Sequence, residues 1–95
     1  MPEMRFRVLW PDGTRDSCYS PSLVVKEHLV PGRRYPVEDF VAASRAALLI
    51  ASDRVKARYG FPCSLALGQI RAIEAAAARQ PAARGDGVLV EAFDE

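Results

Sequence analysis

The sequence predicts an α+β fold: a small antiparallel or mixed sheet, made of an N-terminal hairpin and a C-terminal strand, covered on one face by a short helix and two longer helices. Three observations carry this. Residues 4–10 alternate apolar and polar side chains, the period of two expected of a half-buried strand. Residues 37–59 repeat apolar side chains at helical spacing. Residues 88–93, "VLVEAF", form an apolar run that suits a strand paired inside a sheet.

In the first strand, Met4, Phe6, Val8 and Trp10 share one face, and Arg5, Arg7 and Leu9 share the other. "PDG" at 11–13 follows. Proline suits the first central position of a type I turn, and Gly13 tolerates the positive φ that closes it. A second strand returns over 14–19. Its alternation is weak, so the hairpin rests on the turn rather than on the strand. Ser20-Pro21 then reads as a helix start: the serine oxygen accepts an orphan backbone N–H, and proline at the first helical position loses no intrahelical bond. This short helix runs through Leu29 and is stopped by Pro31-Gly32.

The long helix over 37–59 places Val37, Phe40, Val41, Ser44, Leu48, Ala51, Val55 and Tyr59 on one stripe, with Glu38, Arg45, Asp53 and Lys56 on the opposite arc. Gly60 suits its end and Pro62 prevents simple continuation. Leu49 and Ile50 break the pattern. At about 100° per residue they lie well off the stripe, which points to a second buried surface, within the chain or with a partner. A further helix covers 64–80, favoured by alanines at 75–78, with Leu67, Ile70, Ile73 and Ala77 as its apolar stripe. "PAARGDG" at 81–87 reads as a loop before the last strand. The expected core is Phe6, Val8, Phe40, Leu48, Val55, Ile70, Ile73 and Val90.

The chain has 95 residues, the length of one domain with one core. With 13 basic and 12 acidic residues its formal charge is +1, without the basic excess of a nucleic-acid binder. Arg5, Arg7, Arg33 and Arg34 read as solvated surface arginines. No apolar run approaches the roughly 20 residues of a membrane span. The opening residues carry no apolar h-region or cleavage site, so the expectation is a cytoplasmic protein. Two cysteines in such a chain read as free thiols rather than as a disulfide framework.

The residues with chemical potential are few. Cys63 precedes Ser64 at the start of a helix, where exposed amides favour a thiolate, although packing is the commoner fate of a free cysteine. Cys18 has the same two readings at the end of a strand. His28 is the one histidine. A Cys–His nucleophile would need a thiol within hydrogen-bond reach of it. Cys18, His28 and Cys63 match no zinc spacing, and no phosphate-loop glycine pattern is present, so neither metal nor cofactor is expected. Arg54, at the edge of the core stripe, could bind an anion or pair with a carboxylate.

Five stretches carry a resemblance: "WPDG" at 10–13, "CYSPS" at 18–22, "DFV" at 39–41, "ASDRV" at 51–55 and "YGFPCS" at 59–64. With them the chain resembles a family of small bacterial nitrogen starvation response proteins. The resemblance implies gene neighbours that include a nitrilase, a radical SAM enzyme, an acetyltransferase, an AIR-synthase-like protein and a flavin-dependent oxidoreductase, in clusters linked to nitrile or cyanide nitrogen use. It implies no catalytic site.

The leading expectation is therefore a non-catalytic accessory or binding protein for enzymes or metabolites of that pathway. The alternative is a small thiol-dependent enzyme or carrier using Cys18 or Cys63. No catalytic residue is assigned. If a ligand site exists, Cys18, Tyr19, Ser22, Arg54 and Cys63 are expected around one concavity, faced by the helix that begins near Ser64. A homodimer is also expected, with the 42–57 helix face contributing: Ala42, Ala43, Ala46 and Ala57 beside Leu49 and Ile50 would let another helix approach closely.

Overall fold

The computed structural model describes residues 2–80 and 87–95. Six of the seven residues of the expected loop at 81–87 lie outside the described residues. Strands β1 (Met4–Leu9) and β2 (Arg15–Ser20) form the N-terminal hairpin. A short 3-10 turn, Leu23–Glu27, follows, then a two-residue strand β3 (Arg34–Tyr35). Helices α1 (Val37–Tyr59) and α2 (Ser64–Ala78) precede strand β4 (Val88–Asp94). The sheet is antiparallel throughout, in the order β2-β1-β4-β3. This is the expected α+β class, with one strand more than the sequence suggested. No helix among the described residues is long and apolar enough to cross a membrane.

The hairpin forms for the reason read from the sequence. Gly13 N–H donates to Trp10 O at 2.9 Å, and Trp10 N–H donates to Thr14 O at 2.8 Å, which closes a three-residue loop over Pro11–Gly13. The alternation of β1 then decides the layers. Met4, Phe6 and Val8 are buried under the helices, while Arg5 and Arg7 face solvent. On that open face Arg7 pairs with Asp94 at 3.0 Å and Arg15 with Glu91 at 3.2 Å. Between Arg7 and Val8 the pairing with β4 shifts by a bulge, so that Val88, Val90 and Phe93 all turn toward the core side.

The helices bury the other layer. Phe40 meets Trp10 edge-on, with ring centroids 5.4 Å apart, and Trp10 Nε1–H donates to Asp16 Oδ2 at 2.8 Å. Ala47 and Ala51 of α1 and Ala66 and Ala76 of α2 are buried. Ile70 and Ile73 carry α2 into the core, as expected. The 3-10 turn adds Val24 and Val25, and Leu29 follows it into the core.

Three expectations need correction, and one open alternative narrows. The helix expected over 21–29 is the shorter 3-10 turn, and its cap is Ser22, not Ser20. Ser22 Oγ accepts from Val24 N–H at 3.3 Å. Ser20 ends β2, and its hydroxyl donates to Ser22 O at 2.7 Å, so the chain must turn once more before a helix can begin. Val55 is half-buried rather than core, and Tyr59 is exposed, because both line the open depression described below. The second helix ends at Ala78, where Gln80 turns away to accept from Asp12 N–H at 3.1 Å. Leu49 and Ile50 are 40% and 38% exposed, so no described part of the chain covers them fully.

Candidate functional site

Five pieces of the chain meet at one corner of the molecule: Glu3 just before β1, the end of β2, the Pro21-Ser22 turn, the last turns of α1 and the start of α2. Between them lies a depression of about 200 Å³, lined by Glu3, Tyr19, Pro21, Val55, Tyr59 and Cys63. Each side chain is placed by a local rule. Tyr19 faces outward because it alternates with the buried Cys18 and Ser20. Tyr59 ends α1, whose last carbonyls are met by Gly60 N–H at Lys56 O, 2.8 Å away. Cys63 is the residue that caps α2, without a side-chain cap bond, and its N–H donates to Ser52 Oγ at 3.2 Å. That bond ties the start of α2 to the side of α1 and fixes where the thiol stands.

Several polar groups of the corner are engaged. Tyr19 Oη donates to Glu3 Oε2 at 3.1 Å, and Tyr19 N–H donates to Gln69 Oε1 at 3.0 Å. Arg5 lies over the Tyr19 ring, 5.8 Å from its centroid. Burial, then the hydrogen bond and charge of Glu3, push the Tyr19 phenol up to about 12. It is a neutral donor across the ordinary pH range. Arg54 Nη1 donates to Ser22 Oγ at 3.0 Å, so one hydroxyl both caps the 3-10 turn and holds the guanidinium.

The expected residues therefore divide. Tyr19 and Cys63 share the depression. Ser22 and Arg54 form a bonded pair on the same corner but do not line it. Ser64 is the exposed first residue of α2. Cys18 does not belong to the group: it is 1% exposed, in the core beneath the sheet. Neighbours in a strand point to opposite faces, so Cys18 and Tyr19 could not both open onto one concavity. Among the described residues, no three His, Cys, Asp or Glu side chains come together as a metal-binding group.

Burial, reinforced by the Asp16 carboxylate, pushes the Cys18 thiol from 9.0 up to about 12. Above pH 9 the unfolded chain loses this proton while the folded chain keeps it. Stability is thus fully present below pH 9 and falls as pH rises toward 12. The expected loss from this group is roughly 1.4 kcal/mol by pH 10, and Tyr19 adds to it above its ordinary value of 10.0. Urea midpoints measured from pH 8 to 10 should fall in the native chain and fall less in Cys18→Ala. Equal slopes would place Cys18 in contact with solvent.

The sequence reading missed the apolar rim of this corner. Tyr59, Phe61 and Leu65 are 55%, 67% and 66% exposed, within seven residues around the α1–α2 connection. The signal was present: "YGFPC" puts two aromatic rings in a helix–helix turn, where polar residues usually stand.

The family model described as "Nitrogen starvation-induced protein NitG" matches residues 5–93, nearly the whole chain and every element of this corner. No curated protein and no solved structure matches.

Proposed function

The chain belongs to the family of nitrogen starvation-induced protein NitG, and from that premise we propose that it is a non-catalytic accessory protein of the nitrogen starvation response, acting in the cytoplasm by binding a partner at the α1–α2 corner. The observation that carries this reading is the run of three large apolar side chains at the α1–α2 connection, Tyr59, Phe61 and Leu65, each more than half exposed, of which Tyr59 also lines the depression with Glu3, Tyr19, Pro21, Val55 and Cys63. Large apolar side chains scattered singly on a surface need no explanation; three within seven residues at one helix–helix connection favour a contact surface. Aromatic side chains at the centre of such surfaces supply most of the binding energy in measured interfaces. Tyr19, Ser22, Arg54 and the Cys63 N–H are each bonded within the chain, which holds this part of the surface in place before any partner arrives.

The resemblance narrows the search for the partner. In clusters of the resembled family the neighbouring genes encode a nitrilase, a radical SAM enzyme, an acetyltransferase, an AIR-synthase-like protein and a flavin-dependent oxidoreductase. These enzymes, or their metabolites, are the first candidates. The competing reading, a small thiol-dependent enzyme or carrier, rests on Cys63, because Cys18 lies in the core with its proton held.

The two readings separate in one experiment. The native chain, Phe61→Ser and Cys63→Ser are each offered to the purified neighbouring enzymes, and complex formation is measured by calorimetry. Loss of at least about tenfold in affinity for Phe61→Ser, with Cys63→Ser close to native, is the expected result. Binding that survives Phe61→Ser but fails with Cys63→Ser would transfer the function to the thiol. No binding by any of them would remove this set of partners.

A further inference from the structure

A second surface, on the other side of α1, carries an inference independent of the binding corner. At about 100° per residue, ten residues of α1 fall within an arc of about 140° and all of them are exposed. Read along the helix, the face begins with the acidic Glu38 and Asp39 in the first turn. It continues through Ala42 and Ala46 to the half-exposed Leu49 and Ile50. It ends with Asp53, the basic Lys56, and Ala57. Two of the three alanines, Ala42 and Ala46, lie on the N-terminal half, and the large aliphatic residues lie just past the middle.

That arrangement complements itself in one orientation. Glu38 and Lys56 are 18 residues apart, five full turns at about 3.6 residues per turn, so they stand on one line along the same flank. A two-fold axis that passes beside this face at the level of residue 47, close to the midpoint of α1, would set Glu38 of one copy against Lys56 of the other, twice. The same axis sets Leu49 of each copy level with Arg45 of the other, in the hollow between Ala42 and Ala46, with Ile50 beside it, so that large side chains meet the small-residue half of the face. It brings Asp53 opposite Ala42, where there is room for water. Arg45, on the same arc, is already held by Glu74 at 3.1 Å within its own chain. A parallel pairing would instead oppose Glu38 to Glu38 and Lys56 to Lys56.

We infer that α1 is the seat of an antiparallel, two-fold symmetric homodimer, held at its centre by Leu49 and Ile50 against alanines and set in register by Glu38–Lys56 pairs between copies. The pattern of charge names the occupant: only a second, antiparallel α1 presents its acidic and basic ends in the opposite order. A single helix pair buries less than the roughly 800 Å² per partner of a standard interface. Association is therefore concentration-dependent and weakened by salt. In such a dimer the two α1–α2 corners lie at opposite ends of the helix pair, about 35 Å apart by the length of 23 helical residues, free to engage two partners at once.

Sedimentation equilibrium on the full chain tests this at low and high salt, from dilute to concentrated solution. The native chain should pass from monomer to dimer. Leu49→Glu should raise the dimer dissociation constant at least about tenfold, and Lys56→Glu should raise it severalfold at low salt only. The double variant Glu38→Lys/Lys56→Glu should return it toward the native value, because the reversed charges still meet across an antiparallel pair. All three positions are exposed, and unchanged circular dichroism checks that each variant folds. A native chain that stays monomeric at every concentration overturns the inference. So does a dimer indifferent to Leu49→Glu, or a double variant no better than Lys56→Glu alone.

Discussion

Phe40→Ala is expected to lower the unfolding free energy by about 3–5 kcal/mol, the usual cost of removing a fully buried ring and leaving its cavity. Phe40 is 0% exposed and sits at the join of the two layers. It projects from the first turn of α1 onto Trp10, at the end of β1, with the rings 5.4 Å apart and nearly perpendicular. Its loss removes the edge-to-face contact, worth about 0.5–1.5 kcal/mol beyond the area buried. It also undercuts Trp10, whose indole N–H is fixed to Asp16 and cannot swing in to fill the space without giving up that bond. A chain of this length has a total stability on the order of 5–14 kcal/mol. At about 4–8 °C per kcal/mol, Tm should fall by at least about 12 °C. Phe61→Ala is the control. That ring is 67% exposed, so its removal should change stability by no more than about 0.5 kcal/mol while weakening partner binding. A Phe40→Ala cost below about 1 kcal/mol would mean that α1 does not pack on the hairpin as described.

The parts of this fold legible in the sequence are those in which one periodicity extends far enough to show a face. The alternation of β1 and the long stripe of α1 indicate the two layers, and seven of the eight expected core residues are buried. Val55 failed for a physical reason. Periodicity says which side of a helix faces inward, but not how far along it the core extends. At the end of α1 the same stripe becomes the wall of the depression, so Val55 and Tyr59 belong to the corner instead of the core. Strand β3 was not legible because two residues cannot display alternation. Its existence depends on β4, far along the chain, through the pairs Arg34–Leu89 and Tyr35–Val88. Ser22 caps in place of the expected Ser20 because β2 runs on through Ser20, a length that the weak alternation over 14–19 does not reveal.

The corner was legible in part. "CYSPS" and "YGFPCS" each supplied a residue to the depression, Tyr19 and Cys63, but two further properties arise only in the folded chain. One is that Ser52 holds the backbone of Cys63, which brings α2 against α1 at this point. The other is that the rim is apolar and exposed. The separation of Cys18 from Tyr19, by contrast, follows from the period of a strand alone.

The second large effect concerns a position with no side chain at all. Gly87→Ala is expected to cost about 2–5 kcal/mol, from two sources that add. Gly87 has φ +73°, in the left-handed region where a Cβ costs roughly 1–2 kcal/mol. The new Cβ would also stand 2.3 Å from Tyr35 O, 2.9 Å from Tyr35 C and 3.3 Å from Pro36 N, all backbone atoms. Overpacking of this kind costs a further 1–3 kcal/mol or so when the neighbours must move. Here they are pinned from every side. Val90 N–H donates to Arg33 O at 3.0 Å and Gly32 N–H to Val90 O at 2.7 Å, which fixes β3 against β4. Pro36 O accepts the N–H of Phe40 at 2.9 Å, the first turn of α1. A displaced Tyr35–Pro36 segment would therefore loosen the edge strand and the start of the helix that carries Phe40 together. Gly60→Ala separates the two sources. Gly60 has φ +89°, but a Cβ there would meet nothing within 4 Å, so it should bear only the conformational cost, about 1–2 kcal/mol. Hydrogen exchange gives the spatial readout: Gly87→Ala should strip protection from Val90 and Phe40 amides, and Gly60→Ala should not. Equal stability losses in the two variants, with β3–β4 amides still protected in Gly87→Ala, would show that β4 does not approach Tyr35 so closely.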